Sequence, residues 1–492
     1  MNYKKQNLNI LNFTTNQSQP IHLIGIGGMG MGGLAEILFK KGFYITGSDI
    51  KKNKVTKRLK KNGIKIYSYH HPKNVINACS LIISTAISSN NIEIITAKKI
   101  GIPIFKRSEI LAELTKCYYS IAVSGTHGKT TTTSIINDIY QMAGLNPTFI
   151  NGGITKKDAL QALLGKSHYL IIEADESDAS FLLLKPYVIV ITNIEYEHME
   201  TYLGDIEILK KSYITFLNNL PYDGKAILCI DDPIIKSIIP RIKKKIITYG
   251  FSKSANIQII TYKQIINKSF FKLSINRGEK IKFSLNIPGK HNILNATAAI
   301  TTAITEKISY RTIIDSINLF QGIERRFDIL GNFYINKQTD KNESIILIDD
   351  YGHHPTELEA TIKTARIGWP KKRIIMLFQP HRYSRTKDLY LSFVNVLQKV
   401  DILLMLNIYS AGEKPILGIN SENLCKEIQR KGKINPIFVK NNKEIFQRLR
   451  KIIKKNDLII IQGAGNIENI AKYLKKTKLK SIIQNRGKIL YD

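Results

Sequence analysis

At 492 residues, with 43% hydrophobic and 23% charged residues, the chain has the make-up of a globular protein of about three domains. No apolar run approaches the ~20 residues of a membrane span, the start Met1-Asn-Tyr-Lys-Lys-Gln-Asn is polar rather than signal-like, and Cys79, Cys117, Cys229 and Cys425 are too far apart for a metal knuckle or disulfide framework. The formal charge of +34 is spread over the whole chain as lysine travelling with isoleucine and asparagine, the mark of a compositional bias rather than a nucleic-acid face; the one dense run, Lys51 to Lys61, reads as a solvated helix face. Such a charge still attracts small anions such as nucleotides. The expectation is a cytoplasmic protein with no nucleic-acid partner and no membrane insertion.

The first element is a short strand, Ile21 to Ile24. It runs into Gly25-Ile-Gly27-Gly28-Met-Gly30 and then an amphipathic helix, Leu34 to Lys40. A second strand, Phe43 to Thr46, ends near Asp49, about 20 residues past the glycines. Strand, glycine turn, helix, strand and acid make a dinucleotide-type fingerprint, which fits NAD, FAD or another diphosphate nucleotide. A further strand, Ser80 to Ser84, has Thr85-Ala-Ile-Ser88 at its carboxyl end, where ligands sit in open α/β sheets.

A second segment opens near Cys117. An apolar strand, Ile121 to Val123, leads into Gly125-Thr-His-Gly128-Lys129-Thr130-Thr131 and a helix from Ser134 to Tyr140. A full Walker A motif has glycine at the place of Val123, so this is a shorter loop of the same kind. Its N–H groups point at a phosphate beside the positive end of a helix; Lys129 adds a charge for the β- and γ-phosphates and Thr130 a hydroxyl for Mg²⁺. The bland alternative is an ordinary strand-to-helix turn. The next strands, Tyr169 to Ile172 and Val188 to Ile191, end in Glu173-Ala-Asp-Glu-Ser-Asp178 and Thr192-Asn-Ile-Glu195-Tyr-Glu-His198. Residues 257–287 read as antiparallel strands, and a small-residue helix, Ala296 to Ile304, follows Asn292 and Asn295.

The third segment starts near Gly322. Strands at Ile345 to Ile348, Ile374 to Phe378, Ile402 to Leu406 and Leu458 to Ile461 are each followed by polar or glycine residues, which implies a third parallel sheet. The fold class expected is α/β in three domains: a Rossmann-like N-terminal sheet in 1–116, a P-loop central parallel sheet with added antiparallel strands in 117–322, and a Rossmann-like C-terminal sheet in 323–492.

Taken in order, Gly25-Ile-Gly-Gly-Met-Gly-Met-Gly-Gly33, Gly125-Thr-His-Gly-Lys-Thr-Thr131, Glu173-Ala-Asp-Glu-Ser-Asp178, Pro288-Gly-Lys-His-Asn292, Arg325-Arg-Phe-Asp328, Asp349-Asp-Tyr-Gly-His-His-Pro355, Phe378-Gln-Pro-His-Arg382 and Gln462-Gly-Ala-Gly-Asn466 resemble the motifs of the Mur ligases, and within them the alanine-adding branch. The resemblance covers nearly the whole chain beyond about residue 20. It implies an ATP-dependent, Mg²⁺-using ligase of peptidoglycan precursor synthesis, with UDP-N-acetylmuramate and L-alanine as substrates and an acyl phosphate between them.

The resemblance also implies roles. Lys129, Glu173, His198 and Arg326 are the catalytic set. Gly125, Thr126, His127, Gly128, Lys129, Thr130, Thr131, Asn292, Asn295, Arg326 and Asp350 take ATP, and Thr130, Glu173 and His198 take the metal. Gly27, Gly28, Gly30, Asp49, His70, Thr85 and Ser88 take the UDP substrate. His353, His354, His381 and Arg382 lie on the amino-acid side or the closing face of the C-terminal domain. Local alternatives are a helix cap for Asn292, a buried polar contact for Asn295, a hydrogen-bonded structural role for His198 and salt bridges for Arg326 and Asp350. The chain departs from the family at Glu197-His198-Met199-Glu200, where Asp-His-Met-Asp is commoner, and at Gly322-Ile-Glu324, where Gly-Thr-Gly is usual. No carbamylated-lysine role falls to Lys210 or Lys211. The nearest rival is the murein-peptide recycling ligase, which attaches a tripeptide; Tyr351-Gly352 and the glycine-rich first loop favour the alanine branch. A folylpolyglutamate synthetase lacks such a first domain, a regulatory nucleotide binder is at odds with Lys129, Glu173 and His198, and a dehydrogenase is the remaining alternative for the Gly25 to Asp49 fingerprint.

Overall fold

A computed structural model describes residues 18–84, 86–334, 344–477 and 479. They form two compact units: residues up to 262 with 270–285 and 292–321, and 263–269 with 286–291 and 322 onward. Three sheets carry the α/β fold.

The first sheet has five parallel strands, β1 (Ile21–Ile24), β2 (Ile45–Ser48), β3 (Lys65–Tyr67), β4 (Ser80–Ile83) and β5 (Ile104–Lys106), in the order β3-β2-β1-β4-β5. The order reverses at β1, between β2 and β4, and the glycine turn lies at that switch point. The helix after the turn starts at Met29, five residues before the start expected at Leu34. Four glycines between 28 and 33 hide its pattern, because glycine is a poor helix former. The basic run forms the helix Lys54–Lys61, which buries Val55, Thr56 and Leu59 and begins at an Asn53–Thr56 capping box.

The second sheet has ten strands: β6 (Tyr119–Ser124), β7 (Thr148–Ile150), β8 (Ala162–Leu163), β9 (Tyr169–Glu173), β10 (Val188–Ile191), β11 (Lys225–Cys229), β12 (Lys245–Gly250), β13 (Ile257–Ile265), β14 (Lys268–Ile275) and β15 (Lys280–Leu285). Their order is β15-β14-β13-β12-β11-β10-β6-β9-β7-β8. β6 lies between β10 and β9 and is parallel to both, so three carboxyl ends meet along one edge. Ile121, Ala122, Val123, Leu170, Ile171, Ile172 and Val188–Ile191 are fully buried, as central strands covered on both faces must be.

The third sheet has β16 (Asp328–Phe333), β17 (Ile345–Asp350), β18 (Arg373–Phe378), β19 (Ile402–Leu406), β20 (Ile437–Val439) and β21 (Asp457–Gln462), in the order β16-β17-β21-β18-β19-β20. Sequence reading expects an all-parallel sheet, but the edge strand β16 runs antiparallel to β17. Its glycine-interrupted Asp-Ile-Leu-Gly-Asn-Phe lacks the apolar run that marks the others. Alternate residues feed two cores: Ile346, Ile348, Ile374, Met376 and Phe378 on one face, and Ile345, Leu347, Ile375 and Leu377 on the other. Among the described residues no helix is long and apolar enough to cross a membrane.

Candidate active site

The loop after β6 is shaped by glycines and held by the segment after β10. Gly125 and Gly128 have φ of 129° and 84°, which side-chain-bearing residues rarely adopt. A Cβ on Gly125 would lie 2.2 Å from the Thr192 hydroxyl, and one on Gly128 would lie 2.2 Å from Asn295 Oδ1. Thr126 N–H donates to the Asn193 carbonyl (3.0 Å) and His127 N–H to Asn193 Oδ1 (2.8 Å). The His127 carbonyl accepts from the Thr192 hydroxyl (2.6 Å) and Asn193 Nδ2 (2.9 Å). The helix Lys129–Met142 then starts directly, with Thr132 N–H donating to Gly128. The N–H groups of its first turn have no partner within the helix, which makes an anion cradle. Sequence reading starts this helix at Ser134 because a threonine run masks the first turn.

Lys129 Nζ reaches back over the loop to the Gly125 carbonyl (2.7 Å), the Thr126 carbonyl (3.2 Å) and Glu176 (2.8 Å). Burial alone would depress the ammonium, but the Glu176, Asp175 and Glu173 carboxylates outweigh it and hold Lys129 firmly charged. Burial pushes the Glu176 carboxyl up to about 7 against the pull of Lys129. Thr130 is buried beneath the loop, and its hydroxyl has no hydrogen-bond partner among the described residues. Glu173, the last residue of β9, accepts from Gly152 N–H (2.8 Å). His198 follows β10, half-buried, with a left-handed φ of 56° and its Nε2 3.9 Å from Glu197. The unpartnered Thr130 hydroxyl, in the first turn of the helix after β6, and the Glu173 carboxylate, at the end of the adjacent β9, are hard oxygen donors and fit Mg²⁺; the His198 nitrogen is the less usual donor. Asn292 and Asn295 are buried on the helix Lys290–Thr305, 3.4 Å apart through Nδ2 and Oδ1, with Asn295 against Gly128. Glu176, Thr192 and Asn193 were not singled out from sequence; Asn193, two residues past an apolar strand, was the legible one.

In the first sheet the glycine turn is fastened in the same manner. Gly27 N–H donates to Asp49 Oδ2 (2.9 Å) and its carbonyl accepts from Asn53 Nδ2 (2.9 Å). A Cβ there would lie 2.7 Å from both Asp49 and Thr56. Asp49 Oδ1 accepts from Lys51 N–H, so both of its oxygens serve backbone. Gly28 and Gly30 bracket the start of the helix Met29–Lys40. His70 Nδ1 lies 2.8 Å from Glu93 Oε2, and since a carboxylate can only accept, the proton belongs on Nδ1. Glu93 is fully buried and also accepts from Ser48 (2.6 Å) and Asn74 (2.6 Å). Burial would raise its carboxyl, but His22, Ser48 and Asn74 bring it down to about 2. Ser88 is exposed and its hydroxyl accepts from Asn90 N–H (3.3 Å); Thr85 lies outside the described residues.

In the second unit, Asp350 ends β17. It is buried and accepts from Phe327 N–H (2.9 Å) and Gly352 N–H (2.6 Å), while burial lifts its carboxyl above the usual range. Arg326 pairs with Glu357 (3.2 Å) and lies 5.1 Å over the Tyr351 ring. The His353 and His381 rings are 5.5 Å apart, and His381 stacks on Tyr409. Burial first, then His353, Arg385 and Arg382, depress His381 to about 3, so this imidazole is neutral. His354 caps the helix Pro355–Gly368, and the Arg382 guanidinium lies 3.8 Å from Glu413.

Three family models match the chain: the Mur ligase family catalytic domain over residues 20–119, the Mur ligase middle domain over 123–303, and the Mur ligase glutamate ligase domain over 334–465. Among solved structures, a UDP-N-acetylmuramate-alanine ligase from Thermotoga maritima is 25% identical, with a TM-score of 0.79 over 94% of this chain and 100% of that one. A murein peptide ligase from Psychrobacter arcticus is 22% identical, with a TM-score of 0.69 over 96% and 100%. A ligase from Thermotoga maritima solved with ADP is 15% identical, with a TM-score of 0.59 over 89% and 95%.

Two outcomes follow from this geometry. Gly125→Ala places a methyl on Thr192 in a backbone region that alanine resists, so unfolding experiments should show a loss on the order of 2 kcal/mol, with ATP-analogue binding lost as well. Glu93→Gln tests the buried carboxylate. Its native pKa of about 2 lies below the ordinary 4.5, so its stabilisation is present above the ordinary value and disappears as pH falls toward 2. The parent should exceed the variant by on the order of 2 kcal/mol at pH 7, and the gap should shrink toward pH 3. A gap that does not vary with pH would contradict the ionised assignment.

Proposed function

The chain belongs to the Mur ligase family, whose members are ATP-dependent amide-bond-forming ligases, and from that premise we propose that it joins L-alanine to the lactyl carboxylate of UDP-N-acetylmuramate in cytoplasmic peptidoglycan precursor synthesis. The observation that carries the reading is the single edge where the phosphate loop after β6 lies between Glu173 at the end of β9 and the His198 segment after β10. The full-length likeness to an alanine ligase supports the choice of amino acid.

In this reading ATP phosphorylates the lactyl carboxylate. The alanine amine attacks the acyl phosphate, the tetrahedral adduct collapses, and phosphate leaves with ADP already formed. Phosphoryl transfer of this kind is chiefly positioning and charge neutralisation. The N–H groups after Gly128 and the Lys129 ammonium hold the β- and γ-phosphates, and the phosphates compete with Glu176 and two loop carbonyls for that ammonium. Thr130, Glu173 and His198 would hold Mg²⁺, which supplies charge neutralisation between the phosphate and carboxylate anions. Asn292, Asn295, Arg326 and Asp350 are assigned to ATP, Gly27, Gly28, Gly30, Asp49, His70, Thr85 and Ser88 to the UDP moiety, and His353, His381 and Arg382 to the amino-acid step, on the family pattern. The buried Asp350 and the Asp49 carboxylate already serve backbone, so each acts there by shaping the surrounding loop.

A second reading, attachment of a tripeptide, is favoured by the likeness to a murein peptide ligase over 96% of the chain. Phosphate release decides between them. L-Alanine should support turnover with UDP-N-acetylmuramate and ATP. Glycine and L-serine should be weaker in a graded way, since one methyl contact is worth roughly 1–3 kcal/mol. Strong activity with L-Ala-γ-D-Glu-diaminopimelate and none with L-alanine would select the second reading.

Lys129→Ala should lower turnover by roughly 10²–10³-fold or more while UDP-N-acetylmuramate binding, measured calorimetrically, stays unchanged. Glu173→Gln and His198→Ala should each raise the Mg²⁺ concentration for half-maximal rate. Overlaid titration curves would move the metal site elsewhere.

A further inference from the structure

One half-buried cation of the first unit, Arg107, has no ion pair and no hydrogen bond among the described residues. Arg107 is the first residue of the helix Arg107–Lys116, just past the carboxyl end of β5. Glu109 turns back to accept from the Lys106 N–H (2.6 Å) and so fixes the point at which the helix begins. The Arg107 side chain lies against the glycine turn of the first sheet. A Cβ built on Gly30 would meet its Nη1 at 2.8 Å, Cζ at 3.1 Å and Nε at 3.4 Å, so the face of the guanidinium occupies the space that a side chain at position 30 would need. Glycine at 30 is therefore what allows this arginine to lie over the first turn of the helix Met29–Lys40.

Among the described residues the Arg107 guanidinium makes no hydrogen bond and has no acidic partner within ion-pair distance. The acids of the first sheet have other partners. Glu36 pairs with Lys40 and Arg58, Asp49 holds Gly27 and Lys51, and Glu93 holds His70 and Asn74. Burial raises the Asp175 carboxyl, but Lys129 and Ser177, and then the Arg107 charge, outweigh it and hold it below its ordinary value. A half-buried guanidinium with no ion-pair or hydrogen-bond partner among the described residues, over a helix start whose N–H groups have no partner within the helix, has the chemistry of a site for a multiply charged anion. Its planar fork of donors suits two oxygens of a diphosphate better than a single point charge does.

We propose that Arg107 is a further substrate-binding residue, pairing with the diphosphate of the nucleotide sugar above the Gly27–Gly30 turn. The assignment rests on the reading that this turn receives the UDP moiety. Arg107 then supplies the positive charge that the glycine backbone, with only partial charges, lacks.

Calorimetric titration of the full chain with uridine, UMP, UDP and UDP-N-acetylmuramate tests this in the parent, Arg107→Met and Arg107→Lys. Arg107→Met should weaken UDP and UDP-N-acetylmuramate by roughly 10–100-fold, as loss of a charge-assisted contact does. UMP should weaken less, and uridine and a non-hydrolysable ATP analogue should be unchanged. Arg107→Lys keeps the charge and the packing stem, so it should recover part of the loss and remain folded if the methionine variant does not. UDP affinity within about twofold of the parent in a folded Arg107→Met protein, or, where that variant does not fold, no weakening of UDP relative to uridine in Arg107→Lys, would overturn the role of Arg107 and leave the reading of the turn intact. A parent protein that binds neither UDP nor UDP-N-acetylmuramate would overturn that reading, and the inference with it.

Discussion

The chemistry of the first unit depends on the backbone from Gly125 to Lys129 being held in one shape. Such a loop is costly to order, because its glycines have the most conformational freedom to lose. Thr192 and Asn193 offset that cost. They follow the neighbouring strand β10, and between them they engage the Thr126 and His127 N–H groups and the His127 carbonyl. A loop preorganised this way needs no reorganisation when charge moves during phosphoryl transfer, and preorganised dipoles are worth most in a site shielded from water.

The same solution appears a second time. In the first sheet the Gly27 peptide is gripped on its N–H by Asp49, just past β2, and on its carbonyl by Asn53, the cap of the next helix. Each turn therefore leaves the first N–H groups of its helix directed outward, while the peptides just before them are fastened from behind. Each turn also has a cation beside it. Lys129 belongs to its own loop and is countered by Glu176, whereas Arg107 reaches the other turn from a different strand end and has no such counterpart. The carboxylate beside Lys129 keeps a buried ammonium from being an isolated charge, which burial would otherwise drive toward neutrality.

Much of this was legible in the sequence, for physical reasons. Apolar runs such as Val188–Ile191 and Ile345–Ile348 can be little other than covered strands, and the glycine–lysine–threonine stretch after an apolar strand specifies both a turn and a charge. What was not legible falls into two kinds. Helix starts at Met29 and Lys129 were read late, because glycine and threonine runs have low helix propensity and form helix here through tertiary support. The edge strand β16 was missed because glycine and polar residues interrupt its apolar ones, and Ile329, Leu330 and Phe333 are only partly buried against the two cores, as suits a strand paired along one edge. Partners across long sequence gaps left no local sign: Thr192 lies 65 residues from His127 and Glu176 lies 47 from Lys129, and neither spacing is a pattern.

The buried carboxylates separate by the same logic of partners. Burial would raise the Glu93 carboxyl, but His22, Ser48 and Asn74 hold it down to about 2, so it is ionised at neutral pH although fully buried. Asp349, in the second unit, has Arg325 only at 3.3 Å through Nε and an Oδ1 with no hydrogen bond; burial, only partly offset by Arg325, pushes it up to about 7. Burial is common to both, so the donors decide the charge. Glu93 is thus a fixed anion that orients His70 at the end of β2, where Ser48 also meets it. Asp349 is a group whose protonation can change near neutral pH, at the carboxyl end of β17 where the Arg325–Arg326 pair meets Tyr351. A native pKa above the ordinary 3.8 means that any stability from protonated Asp349 is complete below the ordinary value and disappears as pH rises through about 7. The first unit therefore gains from its buried carboxylate on the alkaline side of pH 4.5, while this strand end of the second unit gains on the acidic side of 7.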